Sequence, residues 1–354
     1  MPPERLLVPG ILVCAFAAAL IASQGLHEPV QPAGSTIAGS GKPVRAFHFV
    51  LRKVSTERAE WLLTRMQQAG FNTVQVVITD GVRLDSAPWR PLPDAWSTEE
   101  LQAFAASARS KGIAIVPELK LLTHQERFLQ SGFPRLMFNK ATYDPRAPEI
   151  YDLVFAVIDE IVALLAPASI HIGHDEVAGH NAGSREKWLR EGEEVLPAAL
   201  FIEDVRRLKD YLDRRGIRTM LWADMLLSPA EFPTMRPGHL HGTPPGYGAA
   251  LREQLPRDVV LCDWHYFDRQ AEFPSTRVLV DEGFEVIGTV WKRDSTTAAF
   301  SAYAAQHGAS GMMATSWAHV QRGEWQVVER IIERAGAAFE RDFCEAPCDR
   351  DIPR

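Results

Sequence analysis

The chain has 354 residues, 46% of them hydrophobic and 23% charged, with a formal net charge of −7. That is material for a sizeable core and length for two average domains or one large barrel. The acidic balance argues against an electrostatic grip on nucleic acid or anionic lipid, which both require a basic face, and leaves neutral or zwitterionic substrates.

The first feature along the chain is LLVPGILVCAFAAALIA (residues 6–22), broken only by Pro9 and Gly10. It is shorter than the ~20 apolar residues of a spanning helix and suits the apolar stretch of a secretory signal. Residues 1–23 are therefore expected to be a signal peptide, with an uncleaved membrane anchor as the alternative because Glu4 cancels Arg5. Export follows, to the periplasm, the exterior or a membrane tether. Residues 24–41, QGLHEPVQPAGSTIAGSG, have the composition of a flexible linker.

From Arg45 onward, short β-branched runs alternate with amphipathic stretches. The runs are RAFHFVLR (45–52), NTVQVVIT (72–79), IAIVPEL (113–119), ASIHIGHDE (168–176), IRTMLWAD (217–224), DVVLCDWHY (258–266), FEVIGTVW (284–291) and ASGMMATSW (309–317). Helical patterns between them include 56–69, 98–111, 149–165, 199–215, 295–307 and 324–339, and Gly70, Gly112, Gly216 and Gly308 stand where helices end before the next strand. Strand then helix, eight times over, predicts an α/β fold of the (β/α)₈ TIM-barrel type over residues 42–342, with a tail at 343–354. The fifth helix has the poorest pattern, since 228–248 is rich in Pro and Gly and reads as a long loop. A doubly wound open sheet would carry a Gly-rich turn after its first strand, and LRKVSTE is not one. Cys262 reads as a buried free thiol, while Cys344 and Cys348 in CEAPC have the spacing of a small disulfide loop, which spacing alone does not establish. REKWLREGEE (185–194) reads as a solvated helix face.

In such barrels the chemistry sits at the C-terminal ends of the strands. Glu118, Asp175, Glu176, Trp222, Asp224, Trp264, Tyr266, Trp291 and Trp317 all fall there, which makes the mouth acidic and aromatic. Rings stack on the apolar faces of sugars while carboxylates hold hydroxyls, so the lining suits a carbohydrate. Asp175 and Glu176 are consecutive on a strand end, so their side chains are expected to start towards opposite faces rather than form the facing pair of a conventional retaining glycosidase. Strand seven, GTVWKR, supplies no acid before Asp294. One acid with an oriented helper remains, and it needs a nucleophile from elsewhere, such as a substrate acetamido group.

IHIGHDEV resembles the strand-four signature of the glycoside hydrolase family 20 β-N-acetylhexosaminidases, a His-x-Gly-x-Asp-Glu pattern met here by His171, Gly173, Asp175 and Glu176. VPELKLLTH is similar to the family's strand-three segment through Pro117, Glu118 and His124, and LWADML and the SW of strand eight are similar to its pocket tryptophans. The resemblance implies substrate-assisted hydrolysis of a terminal N-acetylhexosamine, with no cofactor. It makes Glu176 the general acid and base, and Asp175 the group that steers the acetamido attack. It places His124 and His171 in or behind the pocket wall, Trp222, Trp264 and Trp317 around the sugar, and Arg45 on ring hydroxyls. The chain departs from the family pattern at His174 (usually Gly), Lys120 (usually Asp) and His319 (usually Glu), and Trp291 stands where a tyrosine is expected unless Tyr266 serves.

Two rivals remain at this point. A metal centre could draw on His171, His174, Asp175 and His180, but on a strand His174 faces away from His171 and Asp175, and the first strand offers only His48, so no metal is expected. A non-catalytic sugar-binding relative of the same barrel is the other.

Overall fold

The β-branched runs pair, in chain order, as eight parallel strands that close on themselves. They are β1 Val44–Val50, β2 Thr73–Val77, β3 Ala114–Leu121, β4 Ser169–Gly173, β5 Arg218–Trp222, β6 Val260–Trp264, β7 Glu285–Val290 and β8 Gly311–Thr315. This computed structural model describes residues 42–125, 129, 132–177 and 194–343. The expected signal or anchor (1–23) and linker (24–41), His180, nearly all of the charged run 185–194, and Cys344 and Cys348 lie outside the described residues. The fold is a (β/α)₈ barrel.

The helices are α1 Thr56–Gln68, α2 Thr98–Ser110, α3 Pro148–Leu165, α4 Ala198–Asp213, α5 Tyr247–Gln254, α6 Pro274–Asp281, α7 Asp294–Gln306, α8 Ala318–Gln321 and α9 Trp325–Asp342. Local chemistry sets their ends. Ser55 caps α1 by accepting from the Arg58 N–H at 3.3 Å, and Ser97 and Glu100 form a reciprocal capping box at α2. Gly112 and Gly216 adopt φ of +72° and +68° just past α2 and α4, a left-handed conformation that a side chain would strain. The stretch 228–248, expected to be a long loop, holds one 3₁₀ turn, Pro237–His239, and the first residues of α5, and a second 3₁₀ turn, Asp224–Leu226, precedes it. The eight-residue helices α5 and α6 are too short to show a sustained period.

Strand alternation sorts the core into two layers. Val44 and Ala46 of β1 join Val116, Met220, Val260, Cys262, Ile287 and Met313 inside the barrel. Phe47 and Phe49 belong instead to the layer between strands and helices. Arg45 lies on the outward face with Phe47, near the start of β1, and its guanidinium carbon is 4.0 Å from where a Cβ on Gly70 would stand. The expectation that Arg45 binds substrate is therefore corrected: period-two geometry points it out of the barrel, at the end opposite the strand C-termini.

Two irregularities shape the C-terminal end. Between Glu118 and Leu121 the register of β3 against β4 shifts, so three steps on β3 match two on β4 (Glu118↔His171, Leu121↔Gly173). Such a bulge re-aims side chains. Leu122, His124, His174, Glu176 and Trp317 all have positive φ. Non-glycine residues in that region store strain, which concentrates at functional sites.

Candidate active site

A polar layer closes the top of the barrel interior. Glu118, fully buried, accepts from Gln75 Nε2 at 2.7 Å and from the Trp222 indole N–H at 3.3 Å, and its carboxylate lies 3.1 Å from His48 Nε2. Lys120, one bulged step on, sets its ammonium 2.7 Å from Glu118 Oε1 and 3.5 Å from Asp175 Oδ2. Burial opposes charge on both groups, yet the Lys120 charge, the largest of the opposing causes, helps to hold Glu118 well below the usual carboxylate range, and Asp175 and Glu118 raise Lys120. Burial pushes His171 down to about 4, so it is neutral, and its Nδ1 accepts from the Gly173 N–H at 3.1 Å.

Above this layer opens a cavity of about 890 Å³, lined by Lys120, His124, Asp175 and Glu176 on one side and by Trp264, Tyr266, Phe267, Trp291 and Trp317 on the other. Trp264 and Tyr266 stack at 4.9 Å, and Trp291 meets Tyr266 edge-on at 5.8 Å. Among the described residues no hydrogen bond of good geometry reaches the Tyr266 hydroxyl or the Trp317 indole N–H, although the two lie near each other and Tyr266 lies near Thr315.

Asp175 and Glu176 do not diverge as strand alternation suggested. β4 ends at Gly173, and the positive φ of His174 and Glu176 turns the chain so that both carboxylates approach one imidazole: His124 Nε2 is 3.3 Å from Asp175 Oδ2 and 3.7 Å from Glu176 Oε2. Their electrostatics differ. Burial would raise Asp175, but Lys120 and His124 outweigh it and hold that carboxyl well below its ordinary value. The same pairing, against burial, raises His124 to about 9. Glu176 is raised, chiefly by burial and also by the Asp175 charge, although its side chain keeps 32% exposure. One carboxyl is thus a fixed anion and its neighbour a proton carrier, the division of labour that acid–base catalysis uses. Among the described residues Asp175 Oδ1 has no hydrogen-bond partner.

Four expected contact residues lie behind the wall rather than in it. Glu118, His171 and Trp222 are fully buried and Asp224 nearly so, and none lines the cavity. They act by support. Asp224 Oδ2 accepts from the Glu176 backbone N–H at 2.9 Å and is 2.8 Å from His241 Nδ1, while its Oδ1 accepts from the Trp264 indole at 3.1 Å. Of the metal ligands weighed from spacing, His171 and His174 do not converge: the His171 ring packs 4.5 Å from Trp222 inside the barrel, whereas His174 turns outward to Asp204, 2.9 Å away on α4. Among the described residues, His239, His265 and Asp268 are close enough to hold an ion, but Asp268 Oδ2 already pairs with His239 Nδ1 at 2.6 Å and stands 3.5 Å from His265 Nδ1.

Sequence reasoning missed Arg236, His239 and Phe267 in the lining and noted Lys120 only as a departure. The length of the segment after β5 was the available signal, since long βα loops of barrels carry function.

The model of the glycosyl hydrolase family 20 catalytic domain matches residues 66–344. The chain belongs to that family. Solved structures similar to this family 20 domain include a chitobiase from Flavobacterium johnsoniae (15% identity, TM-score 0.59, 85% of this chain and 50% of that one). Others are a β-N-acetylhexosaminidase from Bacteroides fragilis (17%, 0.59, 84% and 65%) and an exo-β-N-acetylglucosaminidase from Vibrio harveyi in complex with N-acetylglucosamine (17%, 0.57, 84% and 54%). The domain thus spans 50% to 65% of the length of these proteins, and at such identities the likeness is one of fold. Among curated proteins none matches.

Proposed function

We propose that this family 20 domain is an exo-acting glycoside hydrolase that removes terminal β-linked N-acetylhexosamine with retention, using the substrate's 2-acetamido oxygen as nucleophile. The observation that carries the proposal is Asp175 Oδ1, unpartnered among the described residues on a carboxyl held low, beside Glu176, whose carboxyl burial raises above its ordinary value. Asp175 Oδ1 accepts the acetamido N–H, which aims the carbonyl oxygen at the anomeric carbon and stabilises the positive oxazolinium that forms. Glu176 gives its proton to the glycosidic oxygen as that bond breaks, then takes one from the water that opens the ring. The Tyr266 hydroxyl is a donor for the acetamido carbonyl, and the facing rings supply stacking surface for the sugar. Asp175 and Glu176 are the two carboxylates in the lining among the described residues, which favours a nucleophile supplied by the substrate.

Hydrolysis of a chromogenic aryl β-N-acetylglucosaminide, with and without a thiazoline mimic of the cyclised intermediate, tests this reading. Turnover that the mimic blocks and a chelator leaves alone is expected. Turnover that ignores the mimic but stops with the chelator overturns it, and ligand binding without turnover makes the chain a sugar-binding relative. The reading includes export through residues 1–23, checked by fractionating expressing cells.

A further inference from the structure

A second, smaller cavity of about 210 Å³ shares Trp291 with the active-site cavity. Its lining includes Lys292, Arg330 and Arg334 against a single carboxylate, Asp294. Asp294 Oδ2 stands 3.7 Å from Arg334 Nε, and Glu324, the carboxylate bonded to His319, also feels the Lys292 charge; no ion pair within 4 Å engages Lys292 or Arg330 among the described residues, so three cations stand against two carboxylates. Two of its lining residues also carry buried polar atoms without a hydrogen-bond partner among the described residues: His319, 7% exposed and bonded to Glu324 through Nδ1, at its Nε2, and Trp291, which borders both cavities, at its indole N–H. Buried polar atoms of native proteins normally have a partner, so two orphans on residues that line one cavity point to something that enters it.

The surplus of positive charge is local, since the whole chain carries −7. It is not shared by the inner site, where Lys120 stands against Glu118 and His124 against Asp175. It continues around the mouth: Arg236 and Arg293 lie 5.5 and 5.8 Å from the Phe267 ring, and Lys292 caps the Trp291 ring at 4.2 Å. Aromatic faces ringed by unpaired cations suit a sugar that bears an oxyanion.

We propose that the second cavity is an anion-recognition subsite for the leaving part of the substrate, a glycan whose residue next to the terminal N-acetylhexosamine carries a carboxylate or a sulfate. The proposal rests on the hydrolase reading above for its orientation. Lys292 and Arg330 supply the charge, the Trp291 N–H donates, and His319 Nε2 meets a hydroxyl. Liquid water occupies about 30 Å³ per molecule, so the cavity has room for the substituent and several waters.

Three disaccharides with terminal β-N-acetylglucosamine test it on the full chain: one whose second hexosamine bears an O-linked lactyl carboxylate, the same compound as its carboxamide, and one bearing a 6-sulfate. An anionic compound is expected to exceed the carboxamide in kcat/KM by about three- to tenfold at low salt, with the margin shrinking at high salt. Which anion leads identifies the group. In the Lys292→Gln/Arg330→Gln double variant, whose two side chains are exposed, the ratio should fall to about one, through KM rather than kcat. Equal rates for all three compounds, or a preference that survives the double substitution, overturns the subsite. If none is hydrolysed, calorimetric titration of the same compounds reads the same ratios, and the hydrolase reading fails separately from the subsite.

Discussion

Asp175 and Glu176 are neighbours in sequence with opposite proton affinities, and the difference comes from what lies within a few ångströms of each. A donor must carry its proton, so activity is expected to decline as pH rises through the Glu176 value, which burial, and the Asp175 charge with it, raise above that of an ordinary glutamate. Asp175 is held too low to impose an acid limb of its own, and a kcat/KM profile against pH checks both statements. Glu176→Gln should lower kcat on a disaccharide by about 10³-fold with KM little changed. Lys120 matters in the same way. Lys120→Gln strips a buried carboxylate of its cation, so a loss of about 3–5 kcal/mol is expected in denaturant unfolding, and the pH profile should gain an acid limb as Asp175 relaxes upward. The sequence shows Lys120 only as an oddity after Glu118, because the partner that gives it meaning, Asp175, lies 55 positions away across a strand pair.

At the scale of elements, α4 holds the end of β4 in place. Asp204, fully buried on α4, accepts from the hydroxyls of Tyr143 and Tyr151 at 2.8 and 2.6 Å and meets His174 Nε2 at 2.9 Å. His174 Nδ1 lies 2.9 Å from the Ile172 carbonyl, so the ring is pinned at both nitrogens while its backbone sits at φ +70°. The hydrogen bonds offset the strain that a glycine would avoid. Asp204→Ala leaves three buried groups without their acceptor and should cost about 3–5 kcal/mol in thermal or denaturant unfolding. It should also lower kcat, since the turn that presents Asp175 and Glu176 starts at His174. Periodicity marks α4 clearly, but Asp204 looks there like any solvated helix acid.

For the whole molecule the decisive contact is the seam between first and last strands. Val44 pairs with Gly311, and a Cβ on Gly311 would stand 2.1 Å from the Val44 carbonyl oxygen. Gly311→Val is therefore expected to force β8 away from β1 and to destabilise the barrel by more than about 3 kcal/mol, read by unfolding and by loss of turnover together. The seam joins segments more than 260 residues apart in a 354-residue chain, so nothing local in ASGMMATSW announces it.

By itself the sequence determined the eight strands and most of the helices between them, because these follow from periods of two and 3.6 residues that the longer elements display, and it placed the acid pair near the end of the fourth strand. It also placed Trp264, Tyr266, Trp291 and Trp317 at the mouth, where they line the cavity. Only the tertiary structure decided which face Arg45 takes, that Glu118, His171, Trp222 and Asp224 support the site from behind, and that Lys120 and His239 reach it. A bulge in β3, left-handed backbone after β4 and the path of the segment following β5 set those outcomes, and each depends on contacts between residues far apart in sequence, which local periodicity does not encode.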